Sequence, residues 1–120
     1  MTGRMSRNKG NRTEREVVTW LRNNGFPWAE RKGTGLPGAD VAELGPGLEL
    51  EIKNHQRLEP AAWVDQLLAA MATTEAGMGA VIAKRRGTTN VGDWYGILPA
   101  RLLIQLLREA GYGDPIDEAP

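Results

Sequence analysis

The run Asp40-Val41-Ala42-Glu43-Leu44-Gly45-Pro46-Gly47-Leu48-Glu49-Leu50-Glu51-Ile52-Lys53 decides how this chain is read. From Leu48 to Lys53 apolar and charged residues alternate without a fault. Successive side chains of a strand point to opposite faces, so Leu48, Leu50 and Ile52 share one side and Glu49, Glu51 and Lys53 the other. Gly45-Pro46-Gly47 is a turn by composition, and Ala39 to Leu44 is short and β-compatible. The two segments together read as a hairpin.

Working outward towards the N-terminus, Lys32 to Gly38 is a Gly- and Pro-rich loop. Phe26 to Glu30 reads as a strand that Pro27 confines to an edge. A first helix is expected from Thr13, whose spacing to Glu16 is that of a capping box, to about Asn24, with Gly25 just past its end. Residues 1–12 are polar, basic and without periodicity, and read as a flexible arm. Towards the C-terminus, Pro60 opens a second helix that runs to about Glu75 with Trp63, Leu67, Ala70 and Met71 on its apolar stripe. Ala80 to Lys84 and Trp94 to Leu98 are strands joined by a polar loop. Pro99 opens a last helix that carries Leu102, Leu103, Leu106 and Leu107 and stops at Gly111. The order is α-β-β-β-α-β-β-α, an α/β chain with a mixed sheet flanked by helices. The domain spans residues 13–111, and residues 112–120 form an acidic tail.

Composition restricts the chemistry. The 120 residues suit a single domain. There is no cysteine and His55 is the only histidine, which excludes thiolate catalysis, disulfides, and zinc sites built on Cys or on two His. A metal would therefore sit on carboxylates, as Mg2+ or Mn2+ does. No apolar run approaches membrane-spanning length, and no apolar signal core follows the basic N-terminus; the cytoplasm is the default expectation. The formal net charge is zero, yet the charges are unevenly placed. Arg4, Arg7, Lys9, Arg12 and Arg15 crowd one end, Lys84, Arg85 and Arg86 form a second cluster, and Asp114, Asp117 and Glu118 gather in the tail. A local patch, more than the total, attracts phosphate.

Asp40, Glu51 and Lys53 are the candidate reactive cluster. Hydrolysis of a phosphodiester needs an activated water, a metal to polarise the phosphate and charge stabilisation of the transition state. Two carboxylates on neighbouring strands can hold Mg2+, and a lysine two residues after one of them projects from the same face. There it can position the attacking water or neutralise developing charge. The competing reading is plain: Glu-x-Lys in a strand also describes a solvated sheet face with a weak ion pair, and Asp40 also suits a turn. Glu14 adds a third carboxylate, at helical spacing from Val17, Val18 and Leu21 and so on the face that packs against the sheet; a first-turn carboxylate facing the helix dipole is the alternative. Glu16 is explained by the capping box. Gln66 shares a face with Trp63 and Leu67 and either reaches the site or is a buried glutamine. Trp63 reads as core, and His55 as structural or surface.

These residues resemble a known family. Lys9-Gly10-x-x-x-Glu14-Arg15, Gly25-Phe26, Arg31 before a Gly-rich loop, Asp40 and Glu51-x-Lys53 are similar, in order and spacing, to the archaeal-type Holliday-junction resolvases of the PD-(D/E)xK nuclease superfamily. The likeness covers roughly residues 9–53 and rests on five separate elements. It implies a restriction-endonuclease-like fold and a Mg2+-dependent endonuclease acting on branched double-stranded DNA as a homodimer. It assigns metal binding to Glu14, Asp40 and Glu51 and the catalytic lysine to Lys53. Thr34 stands where the family has an assisting serine. Arg15 and Arg31 would contact DNA, and Lys9, Lys32, Lys84, Arg85 and Arg86 are counted with them as DNA-binding. The second half, with Trp63-x-x-Gln66 and Val81 to Gly87, resembles the small resolvase-like nucleases of actinobacterial phages. It departs from the archaeal pattern, which bears on dimer interface and junction specificity more than on chemistry. A nicking or restriction-type enzyme of the same fold, a non-catalytic DNA-binding module and a protein-interaction domain remain the alternatives.

Overall fold

The structure, a computed structural model, describes residues 2–32, 40–42 and 44–114, with side chains from residue 10 onward. Its elements run α1 (Thr2–Arg22), β1 (Glu30–Arg31), β2 (Val41–Ala42), β3 (Leu48–Lys53), α2 (Pro60–Thr74), β4 (Met78–Ala83), a 3-10 turn (Val91–Asp93), β5 (Tyr95–Ile97) and α3 (Ala100–Glu109). The order of helices and strands is the one expected.

β3, β4 and β5 form one sheet in that order, with β3 parallel to β4 and β4 antiparallel to β5. A parallel pair needs a crossover, and α2 supplies it. The alternation in β3 sorts its side chains as expected. Leu50 and Ile52 join Val17, Val18 and Leu21 of α1, Val41 and Trp94 in one buried cluster. On the opposite side Trp63, Leu67 and Met71 of α2 pack with Val81, Ala83 and Leu102. The sheet is therefore sandwiched between α1 and α2, an α/β arrangement with mixed pairing. Each fully buried aliphatic or aromatic side chain in these layers contributes about 1.5–3 kcal/mol. The α2 layer is close-packed: a Cβ at Gly79 of β4 would lie 2.8 Å from Met71 Sδ and 2.9 Å from Leu67 Cδ1.

Several boundaries differ from those read in the sequence. α1 begins at Thr2, not Thr13. Thr13 sits in the same row as Val17 and Leu21, is 1% exposed, and its Oγ1 accepts a hydrogen bond from Asn54 Nδ2 at 2.8 Å instead of capping the helix. The helix does end where glycine permits. Gly25 has φ +101° and the Phe26 N–H reaches back to the Leu21 carbonyl at 3.0 Å, the closing bond of a left-handed cap. The strand expected at Phe26 shrinks to Glu30–Arg31, because the Ala29 N–H bonds the Phe26 carbonyl in a turn around Pro27. The hairpin is also revised: β2 pairs antiparallel with β1, and its approach to β3 is made through Asp40 N–H to the Leu50 carbonyl at 3.0 Å. The acidic tail lies outside the described residues beyond Asp114.

α3 packs by one residue. Leu102 is buried, whereas Leu103, Ile104, Leu106 and Leu107 are exposed. No helix among the described residues is long and apolar enough to cross a membrane.

Candidate active site

β3 is an edge strand of its sheet, and the chemistry collects along that edge. Asp40 is held by three hydrogen bonds, two of them to β3. Its N–H goes to the Leu50 carbonyl, its carbonyl accepts the Lys32 N–H at 3.0 Å, and its Oδ2 accepts the Ile52 N–H at 2.6 Å. The last of these satisfies an edge-strand donor and brings the Asp40 carboxylate beside Glu51. The two carboxyl groups are close enough to hydrogen-bond when one of them carries a proton. Burial, then the charge of Asp40 and that hydrogen bond, push the Glu51 carboxyl up from 4.5 to about 7; Glu49 adds to the rise and Lys53 opposes it.

Lys53, two residues on, projects from the same face as Glu51. Its Nζ donates to Gln66 Oε1 on α2, so the second helix does reach the site and orients the lysine. Glu14 of α1 lines the same cleft of about 360 Å³ as Asp40, Glu51 and Lys53. Its carboxylate is engaged elsewhere, however. Arg31 Nε donates to Glu14 Oε2 at 3.0 Å, and Arg31 Nη2 to Asn11 Oδ1 at 2.7 Å. Among the described residues no three His, Asp or Glu side chains gather tightly enough to hold a metal by themselves. The close pair is Asp40 with Glu51. As a donor set it fits a hard divalent cation, which is commonly bound by one or two carboxylates while keeping several waters. Burial lifts Glu51 most, and the repulsion from Asp40 that adds to it is what a cation between the two carboxylates would relieve.

The arginines and lysines expected at DNA divide into several groups. Lys32 differs from expectation: its Nζ lies 3.6 Å from Glu49 Oε2, with both side chains largely buried, which gives it a structural partner. Arg31 is bound to Glu14 and Asn11. Lys84 lies 3.7 Å from Glu16 Oε2 and over the Trp94 ring at 5.3 Å, and Arg85 lies over Tyr95 at 5.8 Å. Glu16 is thus an ion-pair partner rather than half of a capping box. Arg15 and Arg86 are exposed. Lys9 belongs to α1, but its side chain, like Thr34, lies outside the described residues.

Lys84, Arg85 and Arg86 border a second cleft of about 600 Å³ together with Arg12, and Asn54, His55 and Gln56 line both clefts. His55 packs its ring against Trp63, with centroids 5.4 Å apart, in keeping with a structural part. Trp63 is core, as expected. Asn11 and Asn54 went unread in the sequence, and Arg12 was noted only as a member of the basic N-terminal cluster. Asn11 is three residues before Glu14, a helical neighbour, and that spacing was hidden by treating residues 1–12 as an arm. Asn54 gives no local signal, since its partner Thr13 is distant in the chain.

Comparison with protein-family models, with curated proteins and with solved structures found no match for this chain.

Proposed function

We propose that this chain is a Mg2+-dependent endonuclease of the PD-(D/E)xK type, with a restriction-endonuclease-like arrangement, that hydrolyses phosphodiester bonds in branched DNA. The observation that carries the reading is the convergence of Asp40, Glu51 and Lys53 on one sheet edge, with Glu51 lifted to about 7 by burial and by Asp40. Two solvated strand-face carboxylates would feel neither effect. Structural ion pairs also perturb carboxylates, but here the two groups face each other with a cleft above them.

In the proposed mechanism Asp40 and Glu51 would hold a divalent cation, whose chemistry there would be to polarise the phosphate and acidify a bound water. Asp40 is oriented for this by the Ile52 N–H. Lys53, aimed by Gln66, positions the attacking water and neutralises charge as it grows on the phosphate oxygens. Glu14 would either serve as a further ligand to such a cation, with Arg31 released towards the DNA, or act through Arg31 alone. The resemblance to junction resolvases favours four-way DNA as substrate. The chain would act as a homodimer, since a two-fold junction offers two symmetry-related strands. The exposed Leu103, Ile104, Leu106 and Leu107 of α3 supply apolar surface for such a dimer.

The test is cleavage of a labelled four-way junction and a matched linear duplex in Mg2+ and in chelator. Paired, metal-dependent nicks in the junction alone establish the reading. Equal cutting of both substrates retains the active site and reassigns it to a nicking or restriction-type enzyme. No cutting with Mg2+ or Mn2+ overturns it.

A further inference from the structure

Two clefts meet at the segment Asn54-His55-Gln56, which lines both the carboxylate cleft and the basic one. A third cleft continues from the basic one, shares Arg12 and Thr89 with it, and has Arg15 on its wall. Together they make a trough that starts at Asp40 and Glu51, passes the loop after β4 and runs on along α1. The basic section, at about 600 Å³, lies within the ordinary range of ligand clefts, about 300–1,000 Å³.

The cations along this trough are not equivalent. Lys84 is already engaged, by Glu16 and by the Trp94 ring. Arg85 rests on Tyr95. Arg12 and Arg86 are exposed, and among the described residues neither has a carboxylate partner. The loop that carries Arg86 is braced from within: the Trp94 indole N–H donates to the Thr88 carbonyl at 3.0 Å, and Asn90 N–H to Thr88 Oγ1 at 3.1 Å. Two guanidinium groups without a carboxylate partner lining one cleft, one on a helix and one on a braced loop, suit an anion. A lone small anion would need only one such cleft. A row of connected clefts with arginines along it suits a polyanion whose charges recur along its length.

We infer that the cleft between Arg12 and Arg86 holds backbone phosphates of the DNA strand that lies in the carboxylate site, on one side of the scissile bond. Asn54 to Gln56 is then the sill the strand crosses between the two clefts. This rests on the nuclease reading for the identity of the strand. Arg12 and Arg86 act as positioning residues: they fix the register of the strand over Asp40 and Glu51 and take no part in bond breaking.

The experiment is equilibrium binding of a fluorescein-labelled four-way junction, followed by anisotropy across a salt series in chelator, where no cleavage interferes. It compares wild type, the double variant Arg12→Ala/Arg86→Ala, and Arg101→Ala, which removes an exposed arginine from α3. Circular dichroism melts confirm that each variant is folded. The expected result is a loss of about tenfold in affinity for the double variant. Its plot of log K against log salt should flatten by about 0.9 for each phosphate contact removed, with Arg101→Ala unchanged. Unchanged binding in the double variant, an equal loss in Arg101→Ala, or no binding by wild type overturns the inference. The expected pattern in a wild type that never cuts DNA with Mg2+ upholds the strand track and sinks the nuclease reading instead.

Discussion

The Asp40 carboxylate accepts the backbone N–H of Ile52 at 2.6 Å, so a loop acid is anchored to the strand that carries Glu51. This bond explains why the two carboxyl groups stay together despite their repulsion. An edge strand has spare donors, and Ile52 spends one on Asp40 rather than on water.

Replacing Asp40 tests that relationship. Asp40→Asn keeps an oxygen for the Ile52 N–H but removes the charge beside Glu51, so the fold is expected to persist. The Glu51 carboxyl should move down from about 7 towards its ordinary range, with burial and the Glu49 charge still holding it above. Carboxyl-carbon NMR titration of wild type and variant reads this directly. An unmoved Glu51 would mean that the Asp40 charge has no part in the shift, which burial and Glu49 would then account for.

The same group sets a pH dependence of stability in the metal-free protein. Glu51 titrates near 7 when folded and near 4.5 when unfolded, so between those values the folded state binds more protons than the unfolded state. Its contribution is fully present below about pH 4.5 and is lost as pH rises through about 7. Denaturant melts in chelator should show wild type losing stability across that window relative to Glu51→Gln, which cannot titrate. Parallel pH profiles for the two proteins would contradict the assignment.

Lys53 and Gln66 are expected to separate kinetically. Lys53→Ala removes the cation nearest the phosphate and should lower the single-turnover cleavage rate by about 10²–10⁴-fold. Gln66→Ala leaves the lysine in place but unaimed, a loss of about tenfold, in the range seen when a supporting partner is removed. Glu can still accept the Lys53 proton, so Gln66→Glu should recover most of that rate. A Gln66→Ala protein as slow as Lys53→Ala would give glutamine a direct part in the chemistry.

Lys32 was expected at DNA and is found against Glu49. Lys32→Met leaves the Glu49 carboxylate buried without this partner, and losing one member of a buried pair costs about 3–5 kcal/mol. Both side chains keep a little exposure, so the lower figure is the better guide. Chemical denaturation should show the loss, while the salt dependence of DNA binding measured below the unfolding transition stays as in wild type. A normal stability with a flatter salt dependence would return Lys32 to the DNA surface.

Much of this was legible in sequence because it is local. The strand Leu48 to Lys53 formed over the residues expected, with Leu50 and Ile52 in the core, although Glu49 is buried and Leu48 only half-buried, and Pro60 marks the first turn of α2. Glu51-x-Lys53 placed its side chains on one face for the same reason, and the stripe through Trp63 and Leu67 carried Gln66 to the site. What was misread depends on contacts distant in the chain. Thr13 has the composition of a cap, but Asn54 claims its hydroxyl. Lys32 looks like a loop cation until Glu49 folds beneath it, and Glu14 looks like a free ligand until Arg31 and Asn11 are in place. β1 and β2 are two residues each, too short for any period to register. The apolar spacing of α3 was read correctly, but spacing alone does not say that only Leu102 is buried within the chain.

Asp40, Glu51 and Lys53 are proposed to form a metal-dependent hydrolytic site. Its most direct test is the rate of strand cleavage in a four-way junction by wild type and Glu51→Gln, each titrated with Mg2+. Cleavage should saturate with Mg2+ in wild type and fall by at least about 10²-fold in the variant, with junction binding in chelator preserved. Equal cleavage by the two proteins, or cleavage by wild type that persists in chelator, would contradict it.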